Sequence, residues 1–292
     1  MIWKRKITLL VGLVAVVLSV VTVAGPALSS TSGASPIEKA LQKTSKATSS
    51  RFSFSLRVGG LSGLLPGVSQ LTIGGAGAYD LRSKSLQTTL SLGPLGALIG
   101  ESKPLTLLVT EEAIYLKAPT LAAKAGPGKQ WFKFTVDELA TSANVNSTQV
   151  QALKGTSPQD ALAILKGATS VKKLGTKKIH GVTSTQYRVT LDLAKGAEAL
   201  SGSLQATILP LIKQLNVSVL PVDVWIGTDG YVHRLRVALK GIATGTTPGA
   251  PKASVSVSVD LWSYGLRVRV KAPSAKQTAP GAELIKLLVP TG

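Results

Sequence analysis

Two runs of alternating residues around an Asp-Gly pair constrain the fold of this chain more than any other feature. Val222, Val224 and Ile226 alternate with Asp223 and Trp225, Thr228-Asp229-Gly230 follows, and Tyr231 to Leu239 alternates again. Successive side chains of an extended strand point to opposite faces, so runs of this kind bury one face and wet the other. Asp-Gly supplies the positive φ that a tight turn between them needs. An antiparallel hairpin with one apolar face follows.

The same period recurs along most of the chain. Phe52, Phe54, Leu56 and Val58 alternate with Ser53, Ser55 and Arg57. Further strands are predicted over Leu71–Tyr79, Leu86–Leu92, Leu105–Val109, Ala113–Lys117, Trp131–Thr135, Ser170–Lys178 and Thr183–Leu193, the last two joined by a turn at His180-Gly181. A closing pair, Ala253–Leu261 and Leu266–Val270, is joined through Ser263-Tyr264-Gly265. Close spacing between Gly, Pro or charged turn residues favours antiparallel neighbours.

Helical spacing is sparser. Pro36 opens a helix with Ile37, Ala40, Leu41 and Ala47 near one face and Lys39, Lys43 and Lys46 largely on the other. A short helix is expected over Val136–Ala143, and a second from Ser157-Pro158 to Gly167, where Ser157 caps and Pro158 takes the first helical position. A longer one between Lys195 and Leu215 is bent or broken by Pro210.

At the N-terminus, Lys4, Arg5 and Lys6 precede an apolar run from Ile7 to Ala24, the charge-then-apolar order of an export signal. Cleavage is expected after Ala27, which makes residues 1–27 a signal peptide. The alternative is an uncleaved signal anchor, because the run approaches the roughly 20 residues that span a bilayer. Residues 28–36 are rich in Ser, Gly, Thr and Pro and read as a flexible linker. Residues 37–273 are then expected to form a single domain, with 274–292 as a Pro-rich C-terminal tail ending in a short apolar stretch.

The formal charge is +19, of which Lys4, Arg5 and Lys6 supply three, leaving +16 after removal of the signal. The basic residues are spread along the strands with no dense basic helix, and few aromatics accompany them, which argues against nucleic acid as partner. Behind an export signal, anionic envelope polymers or lipid head groups are the partners such a surface attracts. There is no cysteine, so disulfides, thiolate metal sites and thiol nucleophiles are excluded.

Catalytic patterns are scarce. His180 sits at a turn and His233 in a strand, neither in a metal-ligand spacing. No G-x-S-x-G occurs, and Gly74-Gly75-Ala76-Gly77 lies within a strand pattern without the helix or Lys-Ser/Thr of a phosphate loop. Glu111-Glu112 and Asp137-Glu138 are adjacent pairs, and the first would diverge in a strand. The expectation is a protein that is not an enzyme and carries no cofactor or metal. Two glycine-rich segments are unusually apolar: residues 59–68 with Leu61, Leu64 and Leu65, and residues 93–100 with Leu95, Leu98 and Ile99. Such loops either fold over a core or border an apolar pocket or a membrane.

Three segments resemble one family. Pro221 to Arg236, PVDVWIGTDGYVHRLR, resembles a hairpin of the actinobacterial LppX/LprG-type lipid-carrier lipoproteins, relatives of the LolA-like fold. Ile164 to Gly175, with His180-Gly181 and Tyr187 to Leu193, is similar to that family's central hairpin. Val259 to Gly265 with Pro273 resembles its closing strand. The resemblance implies an α+β fold: a strongly curved antiparallel sheet of about 11 strands, a half-barrel, with helices on its concave side and an apolar cavity that holds acylated lipid. The lipoprotein members bear a cysteine at the signal cleavage point, and this sequence has none, so lipidation cannot anchor it.

On this reading a monomer carries a lipid or acylated glycolipid, bound by burial of acyl chain at about 0.8 kcal/mol per methylene. The apolar runs nominate Val189, Leu191, Val222, Val224, Ile226, Leu235, Val237, Val255, Val257 and Val259 as its wall, with Leu209 and Ile212 on a covering helix. Membrane contact would come from the retained signal, the apolar loops or the basic surface. The rival reading is an envelope adhesion or regulatory module acting through its cationic surface.

Overall fold

The computed structural model describes residues 35–61, 69–135, 138, 168–198, 218–243 and 252–288. The alternating runs become strands: β1 (Ser49–Gly59), β2 (Gln70–Asp80), β3 (Ser85–Ser91), β4 (Leu105–Val109), β5 (Ile114–Lys117) and β6 (Trp131–Phe134). The second half supplies β7 (Ala168–Ile179), β8 (Val182–Asp192), β9 (Val219–Gly227), β10 (Val232–Ala243), β11 (Lys252–Trp262) and β12 (Thr278–Pro280). Among the described residues these form one open sheet in the order β12-β6-β5-β4-β3-β2-β1-β11-β10-β9-β8-β7, antiparallel except where β12 joins β6. The architecture is the curved half-barrel of an α+β fold.

The helices expected near Val136–Ala143 and Ser157–Gly167 lie outside the described residues, apart from Glu138, as do the N-terminal segment and linker up to residue 34. Of the helix expected over Lys195–Leu215, α4 (Leu193–Glu198) is described and begins two residues earlier. The apolar segment at residues 93–100 forms the short helix α2 (Pro94–Ile99), and Leu61 of the other apolar segment is buried in the main core.

Helix α1 (Pro36–Ser45) starts where the sequence places it. The Glu38 amide donates to the Ser35 hydroxyl at 3.2 Å, and the Ser35 amide donates to the Glu38 carboxylate at 2.7 Å, closing a reciprocal cap around Pro36. Its buried face, Ile37, Ala40 and Leu41, packs on Val189, Leu191, Val222, Val224 and Val232 of the sheet. A larger core gathers Phe52, Phe54, Leu90, Leu105, Leu107, Leu116, Phe132 and Phe134 from β1 to β6. It also takes in Leu121 of α3 (Pro119–Ala122) and Leu284 of α5 (Gly281–Leu288).

Two sequence expectations are corrected. Leu266–Val270 is not a strand, because both edges of β11 are occupied, by β10 on one side and β1 on the other, and no ladder position remains. The segment expected as a tail is built into the fold: Thr278–Pro280 pairs with Trp131–Lys133, and Gly281 lets α5 lie against the Phe134 ring, where a Cβ would sit 2.2 Å from a ring carbon.

The glycines of β2 shape the same core. A Cβ on Gly75 would come within 2.6 Å of the Phe54 ring, and one on Gly77 within 2.1 Å of the Gln87 carbonyl oxygen. The missing side chain of Gly75 lets Phe54 lie across β2, and that of Gly77 lets Gln87 and Thr88 of β3 approach closely. At the far edge, β7 exposes every residue but Ile179, with Lys172, Lys173, Lys177 and Lys178 among them. Lysines along an edge strand oppose pairing with another chain.

Candidate functional site

Register brings the nominated apolar residues onto one face. Val259, Leu235, Val224 and Tyr187 stand side by side across β11, β10, β9 and β8. In the next row Leu56 of β1 precedes Val257, Val237, Val222 and Val189. Beyond it Val58, Val255 and Leu239 are aligned. This is the face that carries α1 and the two apolar clusters, the inner side of the half-barrel.

Burial divides these residues. Val189, Leu191, Val222 and Val224 are covered by α1, and Val259 belongs to the larger core. Ile226, Leu235, Val237, Val255 and Val257 are only half-buried, although they lie between two cores in the middle of the sheet. Leu56 and Val58, absent from the sequence-derived set, occupy the same rows and are also half-buried. Their alternation is as plain as that of β10 and β11, but only the pairing of β1 with β11 puts them at the site. Leu209 and Ile212 lie outside the described residues.

One end of this strip is closed by polar contacts. The Val232 amide donates to the Thr44 hydroxyl at 2.9 Å, and the Tyr264 hydroxyl donates to the Val232 carbonyl. Lys43 donates to the Asp229 carbonyl at 2.6 Å and lies 4.5 Å from the centroid of the Tyr231 ring, which stacks on Tyr264. Burial, with the nearby Tyr79 second, pushes the Tyr264 phenol far above its ordinary range, so it works as a neutral donor. Burial likewise pushes Tyr79 up. These contacts pin the C-terminal turn of α1 to the β9–β10 connection.

Behind the apolar strip the outer face is polar, whereas farther along the sheet that face carries a small apolar cluster of Leu108, Ala113 and Tyr115. Asp260 is the hub of the polar part. Arg234 donates to both carboxylate oxygens, at 2.6 and 2.5 Å, and the His180 ring nitrogen Nε2 lies 3.0 Å from the same group. His180 and Gly181 both have positive φ, the two-residue turn that the sequence places here, and the His180 ring stacks on Trp262 with centroids 3.9 Å apart. The tip of the β7–β8 hairpin therefore curls over the outer side of β11. Asp260→Ala leaves Arg234 partly buried without its partner and frees this tip. A loss of about 2 kcal/mol in unfolding free energy is expected, read by urea titration.

His233 is bonded through Nε2 to Asp229, at 2.9 and 3.0 Å. The buried Glu101 carboxylate accepts from the Thr120 hydroxyl and from the amides of Thr120 and Leu121, which caps α3. Lys84 holds Glu111 in an exposed ion pair. Among the described residues no group of three or more His, Asp or Glu side chains is placed to hold a metal ion, and no helix is long and apolar enough to cross a membrane.

No protein-family model matches the chain. An uncharacterized 31.2 kDa protein of Streptomyces griseus is 26% identical over 271 residues, which cover 87% of this chain and 82% of that protein. Among solved structures, the Mycobacterium tuberculosis lipoprotein LppX is similar with 18% identity and a TM-score of 0.41, covering 81% of this chain and 96% of that one. LprF from Mycobacterium bovis is similar with 13% identity and a TM-score of 0.39, covering 82% of this chain and 96% of that one. Of these, LppX is a lipoprotein of the group that the three segments resemble.

Proposed function

We propose that this protein is a non-enzymatic carrier of lipid or acylated glycolipid that works outside the cytoplasmic membrane. The observation that carries the reading is the half-buried apolar strip of Leu56, Val58, Leu235, Val237, Val255 and Val257. Residues of this kind in the middle of a sheet and between two cores would be fully buried in a closed interior. Left half-covered, they offer a wall to an acyl chain, whose transfer from water stabilises binding by about 0.8 kcal/mol per methylene.

Residues 37–273, with the segment through α5, act as one domain on this reading, and residues 1–27 direct export and are either removed or retained as an anchor. The molecule works as a monomer and, having no cysteine, without a lipid tether of its own. An envelope adhesion or regulatory module acting on anionic polymers through its cationic surface would instead lose affinity as salt rises. Acyl-chain binding persists or strengthens with salt.

Native mass spectrometry of the full chain, purified from cells that make it, tests the proposal. A co-purified mass belonging to a molecule with one or more acyl chains is expected, together with uptake of a fluorescent fatty acid that survives molar salt. Protein that is lipid-free and fails to take up the probe overturns the carrier reading.

A further inference from the structure

The outer face of the sheet, opposite the apolar strip, carries a groove of about 400 Å³ that the carrier reading does not use. Its floor is made of small polar residues from two neighbouring strands, Ser53 and Ser55 of β1 and Ser256 and Ser258 of β11. None of these four hydroxyls is hydrogen-bonded to another described residue. Small floor residues alone would mean little. The rim is what gives the groove a chemistry.

Arg236 of β10 stands opposite Ser258, and Arg57 of β1 stands opposite Ser256. The two arginines thus flank the serine rows from either side, two strand spacings apart and offset by two residues along the strands, about 12 Å at the backbone, so that their long side chains can converge on one small group between them. Neither makes an ion pair with a described residue. Lys177 reaches the same groove from the β7–β8 hairpin, whose tip is held over β11 by the His180 contacts to Asp260 and Trp262. The one carboxylate in the lining, Asp260, is already held in bidentate fashion by Arg234, whose guanidinium lies 5.8 Å from the centroid of the buried Trp225 ring. Among the described residues, three cations are therefore left without a carboxylate partner around a floor of hydroxyl donors that are likewise unpaired.

We propose that this groove binds a phosphoryl group, as a phosphomonoester or phosphodiester. Arginine forks match carboxylate and phosphate alike. The donors here converge from β1, β10, β11 and the hairpin, and a tetrahedral phosphoryl group presents acceptors in all those directions, whereas a planar carboxylate presents two oxygens in one plane. Because the groove lies on the face opposite the apolar strip, its failure would leave the carrier reading untouched.

The test is a titration of the full chain with glycerol 3-phosphate, followed by amide chemical shifts. Saturable shifts confined to Ser53–Arg57, Arg234–Arg236, Ser256–Ser258 and the hairpin around Lys177 are expected. Arg57→Gln with Arg236→Gln, both exposed side chains, weakens binding by roughly tenfold or more, and Lys172→Gln, which removes a charge on β7 without touching the groove, changes it less than twofold. Acetate should bind at least tenfold more weakly than the phosphoester.

A second arm adds vesicles of phosphatidylglycerol or phosphatidylcholine. Groove-dependent binding of the former, competed by glycerol 3-phosphate, makes a lipid head group the source. Binding of the soluble ester without groove-dependent vesicle binding makes it a free phosphoryl compound, and either result supports the site. Absence of saturable shifts, equal losses in the Lys172→Gln and arginine variants, or acetate binding as tightly as the ester would overturn the proposal.

Discussion

Phe52→Ala is expected to lower the unfolding free energy by about 3 to 5 kcal/mol, the range for emptying a fully buried aromatic site. Phe52 is 0% exposed and stands between Gly77 of β2 and Leu261 of β11. Its ring centroid lies 6.3 Å from that of Tyr79. Relaxation is restricted here, because the glycine side of the site is backbone already held in two ladders and cannot move in to fill the space. Urea denaturation of the full chain, followed by circular dichroism, measures the effect. A change below 1 kcal/mol would mean that β1 is not the centre of the larger core.

Val257→Trp is expected to weaken acyl-probe binding by roughly fiftyfold while leaving stability within about 1 kcal/mol. The expectation follows from where Val257 stands, half-buried between Leu56 and Val237 on the inner face. An indole placed there occupies the space of about three methylenes of the ligand, and their loss costs about 2.4 kcal/mol. The same substitution separates an open strip from a packed one. In a closed core the added bulk would force side chains from their rotamers and destabilise the fold by about 1 to 3 kcal/mol. Fluorescence titration with a fatty-acid probe and a parallel denaturation curve give both readouts. Tight probe binding in a stable variant would remove Val257 from the site.

The two faces of the sheet thus divide the chemistry of one set of strands. β1, β10 and β11 turn valine, leucine and phenylalanine inward and serine, arginine and aspartate outward. The inner strip is proposed to take acyl chain and the outer groove a phosphoryl group. Whether the two ever hold parts of the same molecule is decided by competition between the fatty-acid probe and glycerol 3-phosphate: independent binding means separate ligands.

Much of this was determined by the sequence by itself, because side-chain alternation is a local property. Val222, Val224 and Ile226 had to share a face whatever they paired with, His180-Gly181 could turn the chain alone, and Ser35 to Glu38 carried a complete helix start. These assignments needed no knowledge of distant residues. Tertiary structure decided whatever depended on which edges were free. Only the pairing of β1 with β11 added Leu56 and Val58 to the strip, and the same pairing denied Leu266–Val270 a partner. β12 found the open edge of β6 in parallel, which drew the expected tail into the core. The outer groove was equally hidden, since its cations come from β1, β10 and a hairpin whose curl over β11 depends on twist and on the His180–Asp260 contact. Periodicity fixes the face of a residue; neighbours across strands are set by the competition of whole strands for ladder positions, and no local pattern encodes that outcome.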